Sequence, residues 1–470
     1  MQGAYLENDT IAALATPIGV GALAIIRISG HNSVPILSSF LKFSNGSSLE
    51  TVPAQKAALA YFQVEKTILD QVMVTFFRAP HSYTGENLIE LTCHGSLAAL
   101  REILNVLSKN GARLAEPGEF TQRAFLNNKM DLTQAEAVAD LIHSQTELSQ
   151  RLALAHLQGS FSKEISKIRN KLLELLAQIE VGLDHSDDPT AGVLFSLQEI
   201  KIILEEESKK IKRLADSFKF GRLLREGVHI SIVGKPNVGK SSLLNCLLKS
   251  ERSIVTHIPG TTRDTIEEGF DLFGMAALLV DTAGIRQGVV DPVEQIGIER
   301  TLKSLEKSDA VIVVCDGSEK FSLEDKKIWE LVKNKEKVIL AINKNDLETK
   351  INKEEINNFF PKLSFIFISS LKNQGIENLM QELASQLLPK GEIKEEICSG
   401  MAVSSLRQKN ALCQAHENLN RASALCRESS MEECLAMELK GALDALGMIV
   451  GEVVTEDLLK EIFSKFCIGK

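Results

Sequence analysis

The chain has 470 residues, of which 44% are hydrophobic and 24% charged, with a formal net charge of −9. This length exceeds what one core serves and predicts about two to four soluble globular domains. The acidic balance excludes a generally basic nucleic-acid-binding surface and leaves only local basic patches for such contacts. The eight cysteines include no C-x-x-C pair and no His/Cys cluster, which argues against a disulfide framework or a zinc site. No stretch reads as a signal peptide or a membrane span, so a cytoplasmic protein without a membrane partner is expected.

In chain order, Ala22–Ile28, Val72–Phe77 and Leu88–Thr92 read as strands and Leu97–Leu107 as an amphipathic helix, giving an α+β domain over residues 1–127. From Leu132 the period becomes helical. Leu148, Leu152, Leu157, Phe161, Ile165, Ile168, Leu172, Leu175 and Ile179 form the stripe of long packed helices, and a further helix is expected over 197–224. Residues 228–390 alternate apolar strands (270–273, 276–280, 310–314, 338–342, 365–368) with helical segments, which predicts a mostly parallel α/β sheet. Three more helical stretches follow, the last starting at Thr455 as its N-cap. Pairing the helices of 391–470 with those of 128–227 makes the α/β segment an insertion in a discontinuous helical domain.

The chemistry concentrates after the apolar run Val228–Val233, in Gly234-Lys235-Pro236-Asn237-Val238-Gly239-Lys240-Ser241, followed by the helical Ser242–Leu248. A strand, a glycine-bounded loop and a helix form a phosphate cradle: amides of Gly234, Val238 and Gly239 face the phosphates, Lys240 reaches the outer ones and the Ser241 hydroxyl ligates Mg²⁺. Asp281-Thr282-Ala283-Gly284 follows a strand, where Asp281 approaches the metal through water and the Gly284 amide senses a γ-phosphate. In Asn343-Lys344-Asn345-Asp346 an amide and a carboxylate can select guanine, with Ser369 on the loop after the last strand, so GTP is the expected nucleotide. Thr262, in Gly260-Thr261-Thr262-Arg263-Asp264, is the expected switch threonine on Mg²⁺. Ile285, directly after Gly284, cannot orient water by hydrogen bonding.

These motifs resemble the bacterial GTPases that include Era and Der, and alone they would equally fit a regulatory ribosome-assembly GTPase. The flanks TPIGVGALAIIRISG, HSYTGENLIELTCHG, PGEFTQRAFLNNKMDLTQAEAVADLI and the terminal FCIGK are similar to the MnmE (TrmE) family of tRNA modification GTPases. That resemblance implies an N-terminal tetrahydrofolate-binding domain, a discontinuous helical domain and an inserted Ras-like G domain. It implies a homodimer that works in a complex with the FAD-dependent MnmG (GidA) on tRNA, using a methylene-tetrahydrofolate one-carbon unit to build an aminomethyl or carboxymethylaminomethyl group on C5 of the wobble uridine. It further implies K⁺ held by Asn237, Thr256, Ile258 and Thr261, with Thr256 and Thr261 thereby lining the GTP site. By the same resemblance Glu294 helps position the attacking water, Arg27, Glu90, Lys129 and Lys470 bind folate, and Cys467 is a functional thiol.

Overall fold

The computed structural model describes residues 9–184, 196–249, 253–255, 268–280, 305–388, 400–426 and 432–470. Contacts divide the chain into two compact units: Met1–Ile142 with His156–Leu194 and Glu432–Lys470, and His143–Ala155 with Phe195–Met431.

The first unit is built on a seven-stranded sheet of order β3-β4-β5-β6-β2-β1-β7. Its strands are β1 (Thr10–Leu14), β2 (Gly21–Ser29), β3 (Leu41–Phe43), β4 (Ala57–Val64), β5 (Thr67–Phe77), β6 (Leu88–Gly95) and β7 (Ala112–Leu114). All neighbours pair antiparallel except β1 with β7. Short helix α1 spans Ser33–Ser38. Helix α2 (Leu97–Lys109) sets Ile103 and Leu107 into a core with Ile26, Ile28, Phe62, Val74, Ile89 and Leu91. The strands expected within β2, β5 and β6 are present. Four others, β1, β3, β4 and β7, had no sequence expectation: β3 and β7 are three residues each, too short to display a period.

After α3 (Glu119–Leu126) and α4 (Leu132–His143), α6 (Ser160–Asp184) pairs with α13 (Glu432–Val450), tied by ion pairs Lys440–Glu180 at 2.8 Å and Arg169–Glu452. The helical stripe is broken at Gly159, whose φ of +79° ends α5 (Glu147–Leu157) before α6 begins. The last helix, α14 (Glu456–Phe463), starts at Thr455, whose side chain accepts from the Leu458 amide, as the sequence predicts. Its apolar face joins Leu459, Ile462, Phe463 and Phe466 to Leu132, Ala135 and Val138.

The second unit holds a seven-stranded sheet of order β14-β13-β12-β8-β11-β10-β9. Its strands are β8 (Val228–Val233), β9 (Ser253–Val255), β10 (Glu268–Leu272), β11 (Met275–Leu279), β12 (Ala310–Asp316), β13 (Val338–Asn343) and β14 (Ser364–Phe367). β11, β8, β12, β13 and β14 run parallel, while β9 and β10 are added antiparallel. The strand expected over 270–273 ends at Leu272, because Phe273 (φ +51°) and Gly274 (φ +91°) make the two-residue hairpin turn into β11. The helices are α7 (Leu197–Glu226), α8 (Lys240–Lys249), α9 (Leu323–Val332), α10 (Lys353–Phe359), α11 (Ile376–Leu387) and α12 (Leu406–Leu425). α7 packs along α12. Among the described residues no helix is long and apolar enough to cross a membrane.

Candidate functional site

In the second unit, β8 delivers the chain into the loop Gly234–Gly239, and α8 begins at Lys240. The loop's shape depends on two glycines. A Cβ on Gly234 would lie 2.4 Å from the Val314 carbonyl oxygen, and one on Gly239, at φ +99°, would lie 2.1 Å from Asn343 Nδ2. Asn237 is exposed and left-handed, at φ +64°. Lys240 Nζ donates to the carbonyls of Gly234 at 2.8 Å and Lys235 at 2.6 Å. Burial pushes that ammonium below its ordinary value, and among the described residues no carboxylate offsets the cost. A half-buried cation on a loop that leads into a helix N-terminus fits a polyanion, and Ser241, exposed on the first turn of α8, is at the position for a metal on that anion.

Asn343 closes the other side. It is 2% exposed at the end of β13, donating through Nδ2 to the Val238 carbonyl at 2.8 Å and accepting the Ser370 amide on Oδ1 at 3.0 Å. Asp346 accepts from Ser369 Oγ at 2.6 Å, a bond that lowers its carboxyl below the ordinary range. A carboxylate at this place can accept donors from a base edge. Lys344, at φ +64°, extends its ammonium to within 2.6 Å of Asp316 Oδ2. Burial raises the Asp316 carboxyl, but bonds from Lys344 and Ser318 outweigh it and the net is downward.

Asp316 and Ser370 had no part in the sequence reading. The available signal was an acid ending an apolar strand, and register pairs Asp316 with Asn343. Cys246 was also missed: from α8 its Sγ lies 2.9 Å from the Ser370 carbonyl oxygen, bracing the same loop. Thr256, Ile258, Thr261, Thr262, Asp281, Gly284 and Glu294 lie outside the described residues. No cluster of three or more His, Cys, Asp or Glu suited to a metal occurs among the described residues.

The first unit holds a second polar centre. Cross-strand partners Arg27 (β2) and Glu90 (β6) bond through Nε at 3.0 Å and Nη2 at 2.7 Å, both to Oε1. Arg27 Nη1 donates to the Gly469 carbonyl at 3.1 Å, and the guanidinium lies 5.5 Å and 5.6 Å from the ring centres of Tyr83 and Phe120. The chain end is held there by the Phe120 amide donating to the Lys470 carbonyl at 3.2 Å and the Gly118 amide donating to that of Cys467 at 3.4 Å. Burial, then the Arg27 charge, push the Lys470 ammonium below its ordinary value. The half-buried Cys467 stands on the same segment. Arg27, Glu90, Lys470 and Cys467 are therefore assembled from both ends of the chain. Lys129 is placed differently: its Nζ donates to the Pro80 carbonyl at 3.0 Å, on the loop that carries Tyr83. A carboxylate beside a stacked guanidinium and a desolvated ammonium suits a ligand with an amide-like edge and an anionic tail.

A parallel sheet with a phosphate loop after its first strand and Asn-Lys-x-Asp after a later one defines a phosphate-loop, guanine-nucleotide-binding class of protein. Two family profiles match the chain: "MnmE helical domain" over residues 132–467 and "GTP-binding protein TrmE N-terminus" over residues 10–129. The tRNA modification GTPase MnmE of Caldicellulosiruptor saccharolyticus is 44% identical over 99% of this chain and 100% of its own length. That of Clostridioides difficile is 42% identical over 98% and 99%, and that of Thermotoga maritima 43% over 98% and 100%. Among solved structures, Aquifex aeolicus Era bound to GDP and aluminium fluoride covers 40% of this chain and 66% of its own, at 27% identity and a TM-score of 0.25, an overlap that decides nothing. The chain belongs to the MnmE (TrmE) family of tRNA modification GTPases.

Proposed function

We propose that this chain is a K⁺-stimulated GTPase that, as a homodimer with an FAD-dependent MnmG-type partner, modifies C5 of the wobble uridine of certain tRNAs using a methylene-tetrahydrofolate. The observation that carries the reading is the coexistence of two unlike centres in one chain. One is a phosphate loop closed by Asn343, and the other is an Arg27–Glu90 pair closed by the C-terminal segment.

In the nucleotide site, Lys240 leaves the loop carbonyls for the outer phosphates, the loop amides hold the inner ones, and Asp346 accepts from the guanine edge. Ser241 and Thr262 are the proposed Mg²⁺ ligands, with Asp281 reaching the metal through water. Asn237, Thr256, Ile258 and Thr261 are the proposed K⁺ ligands. When bound, the two cations supply positive charge to the phosphoryl-transfer transition state. Gly284 senses the γ-phosphate, and Glu294 supplies the water-orienting group that Ile285 cannot. In the other centre, Glu90 pairs with the pterin edge while Arg27, Lys129 and Lys470 hold the glutamate tail and Cys467 acts at the one-carbon unit. In domain terms, residues 1–127 bind folate and dimerise, 228–390 hydrolyse GTP, and 128–227 with 391–470 form the discontinuous helical domain.

Nucleoside analysis of tRNA exposed to the Cys467→Ser and Arg27→Ala proteins tests the reading. Loss of the wobble-uridine modification in both is expected, and unchanged modification in both would sink the second centre. GTP hydrolysis is expected to run roughly tenfold or more faster in K⁺ than in Na⁺ at equal ionic strength. Equal rates would remove Asn237 from its proposed role.

A further inference from the structure

The phosphate loop carries a second cation. Lys235 Nζ lies 2.9 Å from Asp325 Oδ2 and 3.2 Å from Ser322 Oγ. Asp325 is only 2% exposed. It is the third residue of α9 and closes the capping box there: the Ser322 amide and hydroxyl each donate to Oδ2 at 2.8 Å, and Cys315 Sγ approaches Oδ1 at 3.7 Å. The Lys235 side chain is itself 12% exposed, so the two charges meet largely out of water, where stranding either one is costly. Burial alone would lower the Lys235 ammonium, but Asp325 outweighs it and the net is upward. An ammonium so engaged is an anchor and not a phosphate ligand.

What it anchors is the limb of the loop that leads to Asn237. The Lys235 carbonyl is one of the two that receive Lys240, and Pro236, with its fixed φ, passes the position of Lys235 on to Asn237. Beyond Asn237, the Val238 carbonyl is held by Asn343. The loop is thus clamped on both sides of Asn237, by the end of β13 and by the start of α9.

We propose that Asp325 is a positioning residue of the nucleotide site. Through Lys235 it holds the first limb of the phosphate loop and with it the placement of Asn237. The inference rests on the reading of 234–241 as a GTP site. It makes α9 a second support of the loop, independent of the guanine-reading motif.

The test is steady-state GTP hydrolysis by the full chain carrying Asp325→Asn, Lys235→Met, or both, with GTP and K⁺ titrated separately. Each single variant is expected to raise KM for GTP and the half-saturating K⁺ about tenfold, with kcat at saturation of both within about twofold of wild type. The double variant should be no worse than the worse single one, because both remove one interaction. Lys235→Arg, which keeps the charge, should recover most of the loss. Trp329, the single tryptophan, lies on α9 beside Asp325's turn, so its fluorescence in urea reports whether that helix remains folded. Should Asp325→Asn lose that fold, Lys235→Met, on the loop itself, decides the matter. Unchanged KM and K⁺ dependence, additive losses, or a uniform fall in kcat that tracks a lowered unfolding midpoint would overturn the proposal. A wild-type chain that fails to hydrolyse GTP would overturn the nucleotide reading and this inference with it. An active wild type with indifferent variants overturns the tether alone.

Discussion

The phosphate loop and the Arg27 centre are both polar sites on seven-stranded sheets, but they are built in opposite ways. The loop is a contiguous strand–turn–helix, shaped by Gly234 and Gly239 where no Cβ fits, and only its clamps come from afar. The Arg27 centre is closed by residues 442 positions apart: without Gly469, held by the bond of Lys470 to the Phe120 amide, Arg27 retains Glu90 and the two ring faces among the described residues. A site written locally is as stable as its own turn, whereas a site closed by the chain end is as stable as the docking of that end.

The contrast predicts that each centre can be damaged alone. The largest effect is expected from Lys240→Ala, which removes the half-buried cation of the loop. GTP hydrolysis, measured by phosphate release, should fall at least about a hundredfold while binding of a tetrahydrofolate probe to the same protein is unchanged. A parallel loss of folate binding would mean that the centres are not separable.

Gly469→Ala probes the other side. At φ +91° its Cβ would lie 2.4 Å from the Leu14 carbonyl oxygen and 2.8 Å from the Ala15 Cα, so the terminus must shift and Arg27 Nη1 loses its acceptor. The strain, of order 1–3 kcal/mol, should weaken folate binding about tenfold in a calorimetric titration and leave GTP hydrolysis at the wild-type rate. Full folate affinity in that variant would show that the terminus does not complete the site.

The last effect falls on stability and on neither activity, at the junction of α7 with the nucleotide sheet. Asp309 accepts from Arg222 Nη2 at 2.5 Å and from the His229 amide at 3.0 Å. Burial raises its carboxyl, but His229 and Arg222 outweigh it and hold it at about 2 against an ordinary 3.8. The native carboxyl therefore binds its proton more weakly than the unfolded one. Its stabilisation is complete above the unfolded value and is lost as pH falls from there toward the folded one. Asp309→Asn should cost about 2 kcal/mol at neutral pH by urea unfolding followed at Trp329, the difference shrinking below about pH 4. A cost that does not change with pH would assign the effect to packing.

Legibility followed the same division. Strands β12 and β13 are buried throughout and β8 everywhere but at His229, and all three are dominated by Val, Ile, Leu and Ala, so their existence and the parallel sheet could be read directly, and the phosphate loop and Asn343–Asp346 sit at their ends. Boundaries shifted where a turn competed, as at Phe273–Gly274 and Gly159. Asp316 and Asp325 escaped notice because a lone acid after a strand or at a helix start has a sufficient local explanation, and only the fold brings Lys344 and Lys235 to them. The Arg27 centre was legible through family resemblance alone, since Arg27 by itself reads as an ordinary strand charge. The structure sets Lys129 on the Pro80 carbonyl, on the loop that carries Tyr83.

The sequence by itself determined the loop Gly234–Ser241, the Asn343–Asp346 motif at the end of β13, the parallel run of apolar strands and the helix start at Thr455. Each depends on φ preferences, periodicity or capping over a few neighbouring residues, and such terms are local. The tertiary structure decided the pairing of α6 with α13 and α7 with α12, the anchoring of Lys235 and Lys344, and the closure of the Arg27 centre by Gly469. Each of these requires burying groups from distant segments together, and that free energy exists only once the chain has folded.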